Sequence, residues 1–164
     1  MDNSFESEDS SESERLSQAK DMFIGEYTYS IDDKKRLAIP PKFREILGKK
    51  AVITKGLDTC LFLYPIKEWE VEAQKLGNLP PTQAAARSYA RITLASARDV
   101  DFDSLGRIVL PEYLKDWAGF GKRVVVTGVY KKIEIWDEKK WTEYKEKIEP
   151  NMDSIAESLK EYGI

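Results

Sequence analysis

The chain has 164 residues and a net charge of −3, with 41% hydrophobic residues, one cysteine and no histidine. Its hydrophobic content is sufficient for a globular core, whereas the lack of histidine excludes a histidine-dependent catalytic triad and most zinc or copper sites. No apolar run approaches the roughly 20 residues of a membrane-spanning helix, and no phosphate-binding or dinucleotide-binding glycine pattern occurs. We therefore expect a cytoplasmic protein that is not an enzyme, needs no cofactor or metal, and does not bind membranes.

Charge is distributed unevenly along the chain. Residues 1–21 contain seven acidic residues against two basic ones, and this composition predicts a disordered acidic tail. Residues 34–50 contain seven basic residues and one acidic residue, and such a local charge favours an anionic partner. The tail either competes with that partner for the basic segment or acts only as a solubilising extension.

The first half of the chain alternates short apolar segments with proline and glycine, which indicates short strands and helices. The predicted elements are a strand over 23–31, a polar turn over 32–35, a strand over 36–39, a short helix over 41–47, strands over 51–54 and 60–64, an amphipathic helix over 66–76 and a helix over 82–96.

The second half repeats the same order of elements. The pattern predicts a strand over 100–103, a turn over 104–106, a strand over 107–110, a short helix over 111–118, strands over 124–127 and 133–136, and an amphipathic helix that contains Trp141, Tyr144 and Ile148. After Pro150, the pair Ser154 and Glu157 is typical of a capping box and predicts a last short helix.

An internal repeat explains this recurrence. Both copies contain an aspartate, an arginine four residues later and then a proline, at positions Asp32, Arg36 and Pro40 and again at Asp103, Arg107 and Pro111. A unit of this size buries little surface alone, so we expect the two copies to share a core or the chain to assemble. We predict an α+β fold with a first unit over 26–69, linking helices over 70–96, a second unit over 97–140 and C-terminal helices over 141–164.

The Asp–Arg spacing has two interpretations. In the first, the ion pair only stabilises its own turn, and an exposed ion pair contributes about 0–1 kcal/mol to stability. In the second, the aspartate holds the arginine so that its guanidinium projects from the turn. An arginine fork matches phosphate oxygens or the O6 and N7 atoms of guanine. Lysines nearby would add phosphate neutralisation, which dominates nucleic-acid affinity.

Longer motifs surround both copies. They are Met22-Phe23-x-Gly25-Glu26-Tyr27, Ile31-Asp32-x-Lys34-x-Arg36-Leu37-x-Ile39-Pro40-x-Lys42-Phe43-Arg44, and Asp103-x-x-Gly106-Arg107-Ile108-x-Leu110-Pro111. These motifs closely resemble those of the MraZ family. The resemblance implies two swapped-hairpin units of the SpoVT/AbrB type. It also implies a bacterial, nucleoid-associated repressor that assembles into a ring and binds promoter repeats of the division and cell-wall gene cluster.

From this resemblance and the local charge, we expect the DNA contacts to come from both motifs. The candidate DNA-binding residues are Arg36 and Arg107, then Lys34 and Lys35, with Lys42 and Arg44 as weaker candidates, and the orienting residues are Asp32 and Asp103. Lys35 departs from the family's usual glycine, which repeat two keeps as Gly106. The more basic first copy is expected to be the main DNA contact.

Three alternatives remain open at this point. The first alternative to a DNA-binding regulator is an oligomeric protein-interaction scaffold that binds nucleic acid only non-specifically. The aromatic residues Tyr64, Trp69, Trp136 and Trp141 are either core positions or a stacking surface for single strands. The helix with Arg87, Arg91 and Arg98 faces phosphate, solvent or a neighbouring subunit.

Overall fold

The structure is a computed structural model, and it describes residues 21–164. The predicted acidic tail therefore lies outside the described residues except for Asp21. The elements are, in chain order, β1 (Phe23–Ser30), β2 (Arg36–Ala38), α1 (Pro41–Leu47), β3 (Lys50–Lys55), β4 (Leu61–Pro65), α2 (Ile66–Gly77), α3 (Ala84–Ser96), β5 (Arg98–Asp101), β6 (Arg107–Val109), α4 (Glu112–Trp117), β7 (Arg123–Tyr130), β8 (Lys132–Asp137), α5 (Glu138–Ile148), a 3₁₀ turn (Glu149–Asn151), α6 (Met152–Ser158) and a second 3₁₀ turn (Lys160–Tyr162).

Six antiparallel strands form the main sheet, in the order β1-β7-β8-β4-β3-β5. The first strand of each half pairs with a strand of the other half, because β1 lies beside β7 and β5 lies beside β3. At the centre, Leu61 pairs with Ile135 and Leu63 pairs with Ile133. Since the repeat aligns Leu61 with Ile133 and Leu63 with Ile135, this register is pseudo-twofold symmetric. The prediction of an α+β fold built from two pseudo-symmetric swapped units is confirmed.

Within residues 21–164, a second sheet consists of β2 and β6, which carry the arginines of the two motifs. Leu37 pairs with Ile108, and both side chains are fully buried. The ends of this sheet are joined reciprocally: the Ile39 N–H donates to the Gly106 carbonyl at 3.2 Å, and the Leu110 N–H donates to the Lys35 carbonyl at 2.8 Å. Each turn is therefore anchored by the strand of the other repeat.

One hydrophobic core contains residues from both halves of the chain. Phe43 of α1 and Leu114 of α4 occupy equivalent positions and are both fully buried. Phe43 also packs edge-on against Phe23, with ring centroids 5.4 Å apart. The pairing of the two repeats thus gives each small unit the buried surface that it lacks alone.

The aromatic residues at equivalent repeat positions belong to a second, smaller core. Tyr64 and Trp136 are buried beside Cys60, and Trp69 and Trp141 pack against them. A core position is confirmed for Tyr64 and Trp136, whereas Trp69 and Trp141 are half-buried and pack against this core from outside. Burial raises the pKa of the Cys60 thiol, which leaves this cysteine as a small protonated core residue.

The largest differences from the predicted elements occur in the second half. Strand β7 continues to Tyr130 because Val129 and Tyr130 pair with Ile24 and Phe23 of β1. The predicted capping box was wrong: α6 begins at Met152, so Ser154 lies inside the helix and its hydroxyl donates to the Asn151 carbonyl at 3.1 Å. Within residues 21–164, the helices are too short or too polar to cross a bilayer.

Candidate nucleic-acid interface

The first motif forms a compact turn that is held by the Asp32 carboxylate. Oδ1 accepts the backbone N–H groups of Lys34 at 2.9 Å and Arg36 at 2.8 Å. Oδ2 accepts the Nε–H of Arg36 at 2.6 Å. The Lys35 N–H closes the turn on the Asp32 carbonyl at 3.0 Å. One carboxylate thus fixes both the backbone of the turn and the arginine that leaves it.

The second motif repeats this geometry around Asp103. Its Oδ1 accepts the N–H groups of Leu105 and Arg107, each at 2.9 Å, and its Oδ2 accepts the Arg107 Nε–H at 2.8 Å. In both turns, the backbone hydrogen bond from the arginine is the main reason that the pKa of the aspartate lies below its ordinary value. Both aspartates are therefore ionised at neutral pH, and the negative charge of each one holds the guanidinium of its own turn.

Lys35 adopts the same backbone conformation as the glycine in the second turn. Its φ angle is 62°, against 74° for Gly106, and this left-handed region costs an ordinary residue about 1–2 kcal/mol. The turn is therefore preserved despite the lysine. The Lys35 ammonium lies 3.0 Å from the Glu112 carboxylate on α4, so part of its charge is already offset within the chain.

The fold brings the two turns side by side. Arg107 Nη1 lies 3.9 Å from Asp32 Oδ2, the same oxygen that accepts the hydrogen bond from Arg36. The Arg36 and Arg107 side chains are 31% and 26% exposed. Because each Nε is occupied by its own aspartate, the terminal Nη groups are the donors that remain for a ligand. One chain thus presents two braced guanidinium groups next to each other.

The other predicted contact residues occupy different surroundings. Lys34 is exposed at the tip of the first turn, and Lys42 is exposed on the first turn of α1. Arg44 instead donates from Nε to the Ile39 carbonyl at 3.1 Å. Its guanidinium covers Gly106, where an added methyl group would lie 2.6 Å from Nε and closer still to the rest of the group. Arg44 therefore supports the second turn from the first repeat.

Two residues of this region were missed by the sequence reasoning. Glu112 pairs with Lys35 across the two repeats, a contact that only the swapped topology reveals. Leu105 is 68% exposed at the tip of the second turn, in the position that Lys34 occupies in the first. The repeat alignment could have identified Leu105, since it places an apolar residue opposite a lysine. The two tips are therefore chemically different.

Known proteins resemble this chain over most of its length. The family model described as "MraZ protein, putative antitoxin-like" matches residues 22–92 and again residues 93–161. A curated relative from Syntrophomonas wolfei, named transcriptional regulator MraZ, is 47% identical over 143 residues, which cover 87% of this chain and all of the relative. Proteins of the same name from Clostridium beijerinckii and Moorella thermoacetica are each 46% identical over the same shares of both chains. These relatives are regulators rather than enzymes, as expected for this chain. The two matches and the relatives together show that the chain belongs to the MraZ family.

Proposed function

We propose that this chain is a DNA-binding transcriptional regulator that recognises repeated promoter elements through its two Asp–Arg turns. The observation that carries the proposal is the pair of adjacent guanidinium groups, Arg36 and Arg107, each held at Nε by its own aspartate. Both lie on the short sheet that joins the repeats. The names of the relatives, which are transcriptional regulators, support the same assignment.

The bracing of the arginines suits recognition of DNA. A guanidinium fixed at Nε loses less side-chain entropy when it binds, and this preorganisation improves affinity. Its terminal groups can donate two parallel hydrogen bonds to a phosphate or to O6 and N7 of guanine. Arg36 and Arg107 thus act as the reading groups, while Asp32 and Asp103 act as positioning groups.

The first turn contributes more to phosphate binding than the second. Lys34 and Lys42 are exposed in the first repeat, whereas the second turn ends in Ser104 and Leu105. Lys35 adds less than its charge suggests because Glu112 lies 3.0 Å away. Arg44 acts mainly by supporting Gly106. We therefore propose Arg36, Arg107, Lys34 and Lys42 as the principal DNA contacts.

Repeated DNA elements favour an assembly that presents many such turns. Linking several weak sites raises the effective concentration of each one, so a ring of identical chains would bind a series of repeats more tightly than a single site. In the proposed role, the ring represses the division and cell-wall gene cluster from its promoter and associates with the nucleoid. A reporter gene behind that promoter would become more active when the coding gene is deleted.

A gel-shift assay with the DNA directly upstream of the coding gene tests this function. We expect Arg36→Ala combined with Arg107→Ala to abolish the specific complex at two salt concentrations, because both reading groups are removed. The matched control, Lys67→Ala with Lys139→Ala, removes the same charge from two residues outside the turns and should retain the complex. If the unaltered chain instead shifts unrelated DNA equally well and the arginine variant loses self-association, the turns serve assembly and the chain is a scaffold; a specific complex that the arginine variant retains would show that the turns are not the reading groups.

A further inference from the structure

The C-terminal segment, residues 149–164, leaves four of its large apolar side chains open to solvent, whereas Ile155 is half-buried. Met152, Leu159, Tyr162 and Ile164 are 56%, 37%, 74% and 72% exposed. No residue of α6 or of the two 3₁₀ turns is buried. The main contacts of α6 are with these two turns. This part of the described chain thus has an apolar side without a partner.

A helix of this length needs packing in order to be stable. Helix α6 spans seven residues, whereas isolated helices shorter than about 12–15 residues are marginal in water. Stability of such elements comes mostly from burying an apolar face. Helix α6 would therefore be stabilised by an apolar surface beyond the two 3₁₀ turns that flank it.

An apolar groove of suitable character lies between α2 and α3. Its volume is about 620 Å³, and its apolar lining is formed mainly by Leu76, Leu79, Ala86, Ala90, Ile92 and Leu94. Ile92 is 56% exposed and Leu94 is 38% exposed. The opposite side of α3 is fixed to the sheet, since the Thr54 hydroxyl of β3 donates to the Thr93 carbonyl at 2.6 Å. The groove thus faces outwards from a helix that is attached to the sheet on its other side.

The groove and the C-terminal segment carry opposite charges. Among the described residues, the charged side chains that line the groove are those of Arg87 and Arg91. Residues 149–164 contain four acidic residues and one lysine. Within the described residues, Arg91 has no ion-pair partner. Opposite charge around two apolar surfaces directs them towards each other and disfavours the pairing of two like surfaces.

The two surfaces belong to opposite halves of the sheet. Helix α3 packs on β3, whereas α5, which leads into α6, packs on β7 and β8. Strand β4 separates β8 from β3 in the sheet. The segment and the groove do not meet within one chain, so a second copy is the partner that offers the complementary surface.

We propose that residues 149–164 of one copy dock into the α2–α3 groove of a neighbouring copy. The proposal rests on the proposed function in that it identifies the contact by which the regulator assembles. Such a contact is head-to-tail, because it joins two different surfaces, and it closes into a ring when the rotation between copies permits. The apolar side chains supply the buried area, and the arginines and carboxylates set the orientation.

Mixing two full-length variants tests the contact without DNA. The groove variant carries Ile92→Gln and Leu94→Gln, and the tail variant carries Leu159→Gln and Tyr162→Gln. All four side chains are exposed, so both variants should keep the circular dichroism spectrum and the unfolding transition of the unaltered chain. Sedimentation velocity should show that each variant alone loses the assembly. An equimolar mixture should form a 1:1 dimer that grows no further, because it contains a single intact contact.

The control is Val71→Gln, which alters a half-exposed valine on α2 outside the groove and should assemble normally. A variant that assembles like the unaltered chain, or a mixture that stays monomeric, would overturn the proposal. The Arg36→Ala, Arg107→Ala protein separates this outcome from failure of the DNA assignment. It should assemble normally even if the turns prove not to bind DNA.

Discussion

Replacing Gly106 by alanine tests whether the second turn is supported by the first repeat. The added methyl group would overlap with the Arg44 guanidinium and displace its hydrogen bond to the Ile39 carbonyl, which is 3.1 Å long. It would also place an alanine at a φ angle of 74°. Two separate costs therefore arise from one substitution.

The expected loss of stability is about 2 kcal/mol. The left-handed conformation costs about 1–2 kcal/mol, and the smaller entropy of the unfolded alanine chain returns about 0.4–1 kcal/mol. Loss of the Arg44 hydrogen bond adds about 1 kcal/mol. When Arg44→Ala is already present, Gly106→Ala should cost only about 1 kcal/mol, since the guanidinium is no longer displaced.

Urea denaturation at one fixed protein concentration measures this double-mutant cycle, because the stability of an assembling protein depends on its concentration. A coupling energy of about 1 kcal/mol between the two positions is the expected result. Independent effects of Gly106→Ala and Arg44→Ala would refute the contact. A neutral Gly106→Ala would show that the turn does not need its positive φ.

Three further predictions concern the turns and the attachment of α3. Because both carboxylates have a lowered pKa in the folded chain, they stabilise it at neutral pH, and this contribution disappears as the pH falls below about 4. Asp32→Asn with Asp103→Asn should therefore flatten the acid dependence of urea denaturation, and an unchanged dependence would contradict this. Lys35→Gly should leave the unfolding free energy within about 1 kcal/mol, since relief of strain offsets removal of the ion pair; a larger loss would mean that the lysine is not strained. Thr54→Val should lower the unfolding free energy by about 1–2 kcal/mol, because the buried Thr93 carbonyl loses its closest donor, at 2.6 Å, and keeps only the Ser96 hydroxyl at 3.5 Å. An unchanged thermal unfolding temperature would argue against this attachment.

The order of elements could be predicted because each one depends on local pattern. The even spacing of Phe23, Tyr27 and Tyr29 in the sequence predicts the strand β1, and Pro41 and Gly48 bracket α1 in the sequence as they do in the structure. The internal repeat predicted both the pseudo-symmetry of the fold and the equivalence of the two Asp–Arg turns. These features require only neighbouring residues or the comparison of one half with the other.

Contacts between the halves could not be predicted in the same way. Arg44 over Gly106 and Lys35 beside Glu112 each join residues that are distant in sequence. They exist because β2 pairs with β6, and neither composition nor spacing specifies that pairing. The groove of α3 was equally hidden, since it forms only where two helices pack together.

The start of α6 shows a limit of local signals. Ser154 and Glu157 have the spacing of a capping box, yet the helix begins earlier, after Pro150. The preceding 3₁₀ turn leads directly into α6 and displaces the cap to Asn151. A short motif therefore predicted the existence of the helix but not its first residue.

The most direct test of DNA recognition by the paired arginines is to measure DNA affinity at a series of salt concentrations. Fluorescence anisotropy reports the binding of labelled upstream DNA and of a labelled scrambled sequence. For Arg36→Ala with Arg107→Ala, we expect the preference for the upstream sequence to disappear. The slope of log affinity against log salt should fall by about 0.9 for each phosphate that the variant no longer neutralises. An unchanged preference and an unchanged slope in a folded, assembled variant would contradict the assignment of these two residues as the DNA contacts.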